Sequence, residues 1–140
     1  CILSLSPPAD AHWSEVYIGS CTNGSLEDLK AAADILRGKK LANHVRVIVV
    51  PATNTVFKEA IEKGYIKDFI EAGCVISHPC CGLCCGMPYG LMYDDERILL
   101  TANRNFIGRQ GTKKTLGYLS SPAVAAATAL TGVVTDPRTL

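Results

Sequence analysis

The sequence predicts an α/β protein with three layers, α/β/α, built on a mostly parallel sheet of about four strands. Short apolar runs alternate along the chain with segments whose apolar residues recur at helical spacing, which is typical of a parallel sheet covered by helices. One run, residues 45–50, is largely β-branched, as expected of a strand buried on both faces. The 140 residues, 48% of them hydrophobic, are enough for one domain with a real core.

Four strands are predicted at the apolar runs. Gly19 ends the first strand and Pro51 ends the second, because both residue types interrupt a strand. The predicted strands are residues 15–18, 45–50, 74–77 and 97–101.

Four helices are predicted from apolar spacing and from residues typical of helix ends. Ser25, with Asp28 three residues later, forms a variant capping box before the first helix. Pro122 suits the first turn of the last helix, and Gly38 and Gly132 end the first and last. The predicted helices are residues 26–37, 55–63, 66–72 and 122–131.

The first residues are predicted to lie outside the domain. Pro7 and Pro8 belong to a short stretch typical of a linker, so residues 1–14 are interpreted as a linker or domain-boundary stub and residues 15–140 as one domain. Residue 1 is Cys rather than Met, and we therefore expect the chain to be a piece of a longer protein.

Composition argues against several classes of partner. A net charge of +1 gives no strong field toward nucleic acid, and no run is long and apolar enough to cross a membrane. Four of the seven cysteines fall within residues 80–85, where adjacent thiols reach separate disulfide partners poorly. We therefore expect a reducing compartment, the cytoplasm.

The loops with reactive or anion-binding side chains all follow predicted strands. In a parallel sheet the carboxyl ends of the strands meet at one edge, where ligands bind. The loops are GSCTNG at residues 19–24, PATN at 51–54, HPCCGLCCG at 78–86 and NRNFIGR at 103–109. We therefore expect them to form one site.

Cys21, Cys81 and Cys84 are the candidate metal ligands. Cys81 and Cys84 form a C-x-x-C pair, whose sulfurs can face one metal ion or cluster, and Cys21 is expected at the same edge of the sheet. Three soft thiolates beside an anion-binding loop favour an iron–sulfur site that handles a carboxylate substrate.

Two alternatives use the same cysteines. A structural zinc ion could take a fourth ligand from His78, Cys80 or Cys85, and the CGLC sequence could be a dithiol redox motif. Cys74 lies within an apolar strand and is predicted to be an inert core residue.

Arg104 and Arg109 are the candidate anion-binding residues. They lie five positions apart in an amide-rich loop, and guanidinium groups suit bidentate recognition of carboxylates. This loop is expected at the same sheet edge as the cysteines.

Four motifs, in this order, resemble the aconitase superfamily. They are YIGSCTNG at residues 17–24, CGLCCG at 81–86, NRNFIGR at 103–109 and YLSSP at 118–122. The resemblance covers the third domain of that superfamily. It is closest to the branch of 3-isopropylmalate dehydratase large subunits and homoaconitases.

This resemblance implies a [4Fe–4S] cluster held by three cysteines, which match Cys21, Cys81 and Cys84. It also implies a hydro-lyase reaction that isomerises a hydroxy di- or tricarboxylic acid by dehydration and rehydration. Three thiolates leave one iron open to substrate, and an open metal position is what such catalysis needs.

The resemblance further implies roles for one loop and for missing partners. Asn103 would form hydrogen bonds near the cluster, and Arg104 and Arg109 would bind substrate carboxylate. The catalytic base and further catalytic residues of the superfamily lie in the remaining large-subunit domains and in a small, swivelling subunit or domain. No catalytic residue is assigned in this chain, and we expect it to be inactive alone.

Overall fold

The computed structural model describes residues 11–86 and 90–140. Its centre is a five-stranded sheet in the order β3–β2–β1–β4–β5, and every neighbouring pair of strands is parallel. The strands are β1 (Glu15–Gly19), β2 (Arg46–Val50), β3 (Val75–Ile76), β4 (Arg97–Leu100) and β5 (Leu116–Leu119). The helices are α1 (Leu26–Leu36), α2 (Asn54–Glu62), α3 (Tyr65–Ala72) and α4 (Pro122–Thr131), with 3₁₀ helices at Gly82–Cys85 and Pro137–Thr139.

The α/β class and the parallel sheet are confirmed, but the predicted count of about four strands is one too low. The additional strand is β5, which pairs with β4 at the edge of the sheet. Its sequence, LGYL, contains Gly117, and the side chains of Leu116 and Leu119 are almost half exposed. The strand therefore lacks the continuous apolar run that marks a buried strand in a sequence.

The two faces of the sheet have different coverings. Val16 and Val47 face the larger core, to which all four helices contribute buried side chains. Tyr17 and Ile48, which alternate with them, face a smaller core closed by Leu83. The period of two along each strand produces this division.

The handedness of the connections explains why α1, α2 and α3 share one face. The chain moves from β1 to β3 in one direction across the sheet, and then from β4 to β5 in the other. Right-handed crossovers in opposite directions pass over opposite faces. In the described residues, the second helical layer that the sequence predicts is replaced by the 3₁₀ helix Gly82–Cys85 and loops. Pro79 and Gly86 in that connection do not sustain an α-helix.

The N-terminus of α1 has the capping box that the sequence predicts. The Ser25 hydroxyl accepts a hydrogen bond from the Asp28 amide at 3.2 Å, and the Asp28 carboxylate accepts one from the Ser25 amide at 3.1 Å. At α4 the Ser121 hydroxyl accepts a hydrogen bond from the Val124 amide at 3.3 Å, and Pro122 lies in the first turn. These caps fix where both helices begin beside the ends of β1 and β5.

Part of the predicted boundary stub packs onto the domain, whereas residues 1–10 lie outside the described residues. Trp13 is fully buried, and its ring contacts Tyr118 edge-on with the centroids 5.2 Å apart. The division of the chain at residue 14 stays a prediction. Within the part of the chain that the structure describes, no helix has the length and apolarity needed to cross a bilayer.

Candidate metal centre

The loop after β1 carries Cys21 and is pressed against the end of β2. A Cβ atom added to Gly19 or Gly24 would lie 2.3 or 2.4 Å from the carbonyl oxygen of Val50. Glycine is therefore required at both positions for the loop to approach so closely. Cys21 lies exposed in this loop, which leads to the N-cap Ser25 of α1.

The 3₁₀ helix Gly82–Cys85 carries Cys84 and begins directly after Cys81. The Cys84 amide donates to the Cys81 carbonyl at 3.1 Å, and Gly86 ends the turn with a φ of +76°. Leu83 is fully buried in the smaller core and anchors the turn to the sheet. The Cys81 thiol is exposed and the Cys84 thiol is half-buried, so both remain accessible at the carboxyl edge.

Cys21 and Cys81 come together although they are far apart in the sequence. The charge of the Cys21 thiolate raises the pKa of Cys81 above its usual value, with a further contribution from Cys85 and a smaller one from Cys84. Like charges act in this way only when they lie close to one another. Among residues 11–86 and 90–140, no group of three or more His, Cys, Asp and Glu side chains is arranged to hold a single metal ion.

Tyr17 lies beneath the cysteine turn. Its side chain is fully buried, and its hydroxyl donates a hydrogen bond to the Cys81 carbonyl at 3.3 Å. Burial raises the pKa of Tyr17 well above its usual range, and a weaker interaction with the side chain of Ser20 lowers it. The hydroxyl therefore keeps its proton and remains a donor. Tyr17 opens the YIGSCTNG motif, but nothing in the sequence separated its role from that of an ordinary strand residue.

The other described cysteines have separate environments. Cys74 is buried as predicted, and burial raises the pKa of its thiol to about 12. The Cys80 sulfur lies 3.8 Å from the Ser77 hydroxyl. The Cys85 thiol donates to the carbonyl of Gly82 at 3.4 Å. Cys1 lies outside the described residues.

The local structure gives no support to His78 as a zinc ligand or to a dithiol redox motif. His78 is exposed, and its ring packs edge-on against Phe57 with the centroids 5.7 Å apart. The CGLC segment itself forms most of a single 3₁₀ turn that ends at Gly86, rather than the start of the long helix on which dithiol redox motifs normally lie.

Asn103 lies near the loop that carries Cys21. The side-chain amide of Asn23 donates to the Asn103 side-chain oxygen at 2.7 Å, and it also donates to the Thr101 carbonyl. The Thr101 hydroxyl in turn accepts from the Gly19 amide at 2.9 Å. Asn23 was not among the predicted site residues, although it lies two positions after Cys21 within the GSCTNG motif.

The two candidate arginines differ in their contacts. Arg109 donates a hydrogen bond from Nε to the Cys84 carbonyl and lies over the Phe106 ring, 5.7 Å from its centroid. The Arg104 side chain is exposed, and its backbone carbonyl accepts a bond from Gln110 at 3.5 Å. The structure therefore brings Arg109 to the cysteine turn and leaves the Arg104 guanidinium facing solvent.

An open groove of about 560 Å³ lies beside Arg109. Its lining includes Cys85, Met92, Tyr93 and Thr112. The groove is thus bounded by the cysteine turn on one side and by the connection from β4 to β5 on the other.

Comparison with known proteins identifies relatives across almost the whole chain. The model of the aconitase family (aconitate hydratase) matches residues 6–132. The chain is 48% identical to 3-isopropylmalate dehydratase large subunit 1 of Archaeoglobus fulgidus over 98% of its length. It is 49% identical over 99% of its length to the corresponding large subunit of Nitratiruptor sp., and 52% identical over 92% to that of Clostridium botulinum strain Eklund 17B.

The same comparisons show how much of each relative the chain covers. It matches 33% of the Archaeoglobus protein, 33% of the Nitratiruptor protein and 31% of the Clostridium protein. The chain therefore spans about a third of the length of these curated relatives.

Proposed function

The chain belongs to the aconitase family, and on that premise we propose that it is the cluster-binding part of a [4Fe–4S] hydro-lyase of the 3-isopropylmalate dehydratase large-subunit type. Such an enzyme isomerises a hydroxy di- or tricarboxylic acid by dehydration and rehydration. Aconitase and homoaconitase types are alternatives within the family. Relatives at about half identity that carry the dehydratase name support this choice.

The observation that carries the proposal is the meeting of Cys21 with Cys81 at the carboxyl edge of the sheet. Their loops follow different strands, yet the charge of one thiolate acts on the other. Cys84 lies one turn after Cys81, on the 3₁₀ helix Gly82–Cys85. Three thiol donors on glycine-rich backbone fit the ligand set of an iron–sulfur cluster. When bound, such a cluster supplies a Lewis-acidic iron.

The residues around the cysteines would bind and orient the substrate. We propose that Arg109, Arg104 and Asn103 contact it: the arginines would pair with carboxylate and the amide would donate or accept a hydrogen bond. Arg109 is already oriented by its bond to the Cys84 carbonyl. Asn103 is oriented by Asn23 at 2.7 Å. Arg104 has the freedom to reach a substrate, since its side chain is exposed.

The groups that move protons would come from elsewhere in the enzyme. We propose that the remaining large-subunit domains and a small, swivelling subunit supply the base, because the chain spans about a third of its relatives. We also propose a cytoplasmic location, in agreement with the free thiols of Cys21, Cys81 and Cys84.

Anaerobic reconstitution with ferrous iron and sulfide tests the cluster. The expected result is broad visible charge-transfer absorption, with iron and acid-labile sulfide bound in equal amounts. Uptake of zinc alone would favour a structural zinc site. A reversible dithiol–disulfide couple without iron would favour a redox module.

Cysteine variants test which thiols are the ligands. Cys21→Ser, Cys81→Ser and Cys84→Ser are each expected to abolish stable cluster binding, because a serine hydroxyl replaces a soft thiolate poorly. Cys74→Ala is the matched control, since that thiol is buried in the larger core. It should perturb packing and leave iron and sulfide content unchanged. Full occupancy in Cys84→Ser would instead identify Cys80 or Cys85 as a ligand.

A further inference from the structure

We propose that Tyr17 is a positioning residue for the cysteine centre, the group formed by Cys21, Cys81 and Cys84. The buried hydroxyl of Tyr17 holds the Cys81 backbone at the end of β1, beside Cys21. The inference rests on the proposed function, because it assigns to Tyr17 the task of keeping the ligand cysteines in one arrangement. It concerns the first residue of the YIGSCTNG motif, to which the sequence assigned no role.

Tyr17 connects two parts of the centre that lie 64 residues apart in the sequence. It belongs to β1, which leads directly into the loop of Cys21. Its hydroxyl reaches across the smaller core to the Cys81 carbonyl at 3.3 Å. A buried tyrosine hydroxyl normally requires a partner, and here the partner is the backbone of a candidate ligand.

The contact between Tyr17 and the cysteine turn requires glycine at position 82. A Cβ atom added there would lie 2.5 Å from the Tyr17 hydroxyl oxygen and 3.4 Å from the ring carbon that bears it. The φ of Gly82 is +50°, a conformation that glycine adopts most readily. Glycine therefore lets the turn lie directly on the phenol, and any side chain at this position would lift it.

The Cys81 carbonyl is the point at which two hydrogen bonds meet. It accepts one from the Cys84 amide at 3.1 Å, which closes the 3₁₀ turn, and one from Tyr17, which fixes that turn to the sheet. Loss of the hydroxyl removes the tie of the turn to β1, so the turn opens more readily. Ser20, the neighbour of Cys21, lies beside the same hydroxyl. Tyr17 therefore interacts both with the backbone of Cys81 and with the neighbour of Cys21.

The test compares Tyr17→Phe with Tyr118→Phe in the full chain. Each variant loses one hydroxyl and keeps its ring, but Tyr118 packs against Trp13 in the other core. After reconstitution, Tyr17→Phe is expected to release iron to a chelator about three- to tenfold faster than wild type, which is the effect of losing one hydrogen bond. Its visible circular dichroism should also change, because that signal reports how the protein surrounds the cluster. Tyr118→Phe should match wild type in both measurements.

Hydrogen–deuterium exchange without iron gives an independent measurement. In Tyr17→Phe the amides of Cys84 and Gly86 are expected to exchange faster, whereas those of α1 and α4 keep their protection. Gly82→Ala, which displaces the phenol from the other side, should produce the same pattern. Unchanged exchange in the turn in both variants would overturn the positioning role, whether or not the chain binds a cluster. Failure of wild type to take up iron and sulfide would overturn the proposed function alone.

Discussion

Glu15 carries a buried carboxyl group at the amino end of β1, on the edge of the sheet opposite the cysteines. One of its oxygens accepts a hydrogen bond from Arg46 Nε at 3.0 Å. The other, Oε1, has no hydrogen-bond partner among residues 11–86 and 90–140 and would lie 2.5 Å from a Cβ atom added to Gly90. Burial raises the pKa of Glu15 to about 7, against a smaller lowering by Arg46 and with a small further rise from Glu96.

This carboxyl group makes the stability of the protein depend on pH. The unfolded chain ionises Glu15 near pH 4.5, whereas the folded chain holds the proton until about pH 7. The free energy of unfolding should therefore fall as the pH rises through this window, by about 3 kcal/mol in total, and level off above it. Urea unfolding of wild type and Glu15→Gln at pH values across the window measures the effect. Subtracting one curve from the other cancels the other titrating groups, and a difference that is constant with pH would contradict the assignment.

At the scale of single residues, the sequence predicted the buried position of Cys74 but not the residues that contact the cysteine turn and its neighbouring loops. Cys74 could be assigned to the core because apolar residues surround it in the sequence. Tyr17 and Asn23 could not be assigned, since their contacts are with Cys81 and Asn103, far away in the chain. Only the folded sheet brings these partners together.

The loop between β1 and α1 depends on the absence of a side chain at Gly24. In Gly24→Ala the added methyl group would meet the Val50 carbonyl at 2.4 Å and the Ser20 carbonyl at 2.7 Å. We expect a loss of about 3 kcal/mol in the free energy of unfolding. We also expect reduced iron loading of the folded fraction, because the loop of Cys21 must move.

Gly38→Ala is the matched control for this loop. Gly38 has a φ of +71° and no atom within 4 Å of an added Cβ, so alanine there is strained without a steric clash. Its expected loss is about 1 kcal/mol, with iron loading unchanged. Equal iron loading in the two folded variants would show that the Cys21 loop tolerates displacement.

At the scale of elements, local chemistry predicted the helices better than the sheet. Ser25 and Asp28 marked the start of α1 because capping is a local interaction. β5 forms because it pairs with β4. Its own residues, Gly117 and the exposed leucines at the two ends of the strand, do not predict a strand. The side of the sheet that each connection covers follows from strand order, which no single segment contains.

At the scale of the whole molecule, the described residues include the proposed substrate-binding groups, and none of them is assigned as a base. We therefore expect no turnover of isopropylmalate, homocitrate or citrate by the chain alone, even with a cluster bound, since dehydration requires a positioned base. Grafting the chain onto the other two-thirds of the Archaeoglobus fulgidus large subunit, with the small subunit added, should restore activity. Turnover by the isolated chain would refute the proposal that the base comes from the other domains and the small subunit.

The same assembly measures the contribution of Arg104. Arg104→Lys keeps the charge and removes the bidentate geometry, so kcat/KM should fall roughly ten- to hundredfold, or about 1.5–3 kcal/mol. Lys113→Arg, a change of cation in the same connection, serves as the control and should have little effect. An unchanged kcat/KM in Arg104→Lys would remove that arginine from the substrate site.

The position of β1 at the centre of the sheet also governs the order in which the polypeptide can assemble. Its pairing with β2 joins residues 31 apart, whereas its contact through Gly19 with Thr101 spans 82 residues. A nascent chain that has emerged only as far as β2 already displays Cys21, but not the turn that carries Cys81 and Cys84. Closure of the longer loop carries the larger entropy loss, although the loss grows only slowly with length. With the proposed ligand set, Cys21 would therefore be synthesised before Cys81 and Cys84, and iron could bind all three only after their turn has been translated and packed against β1.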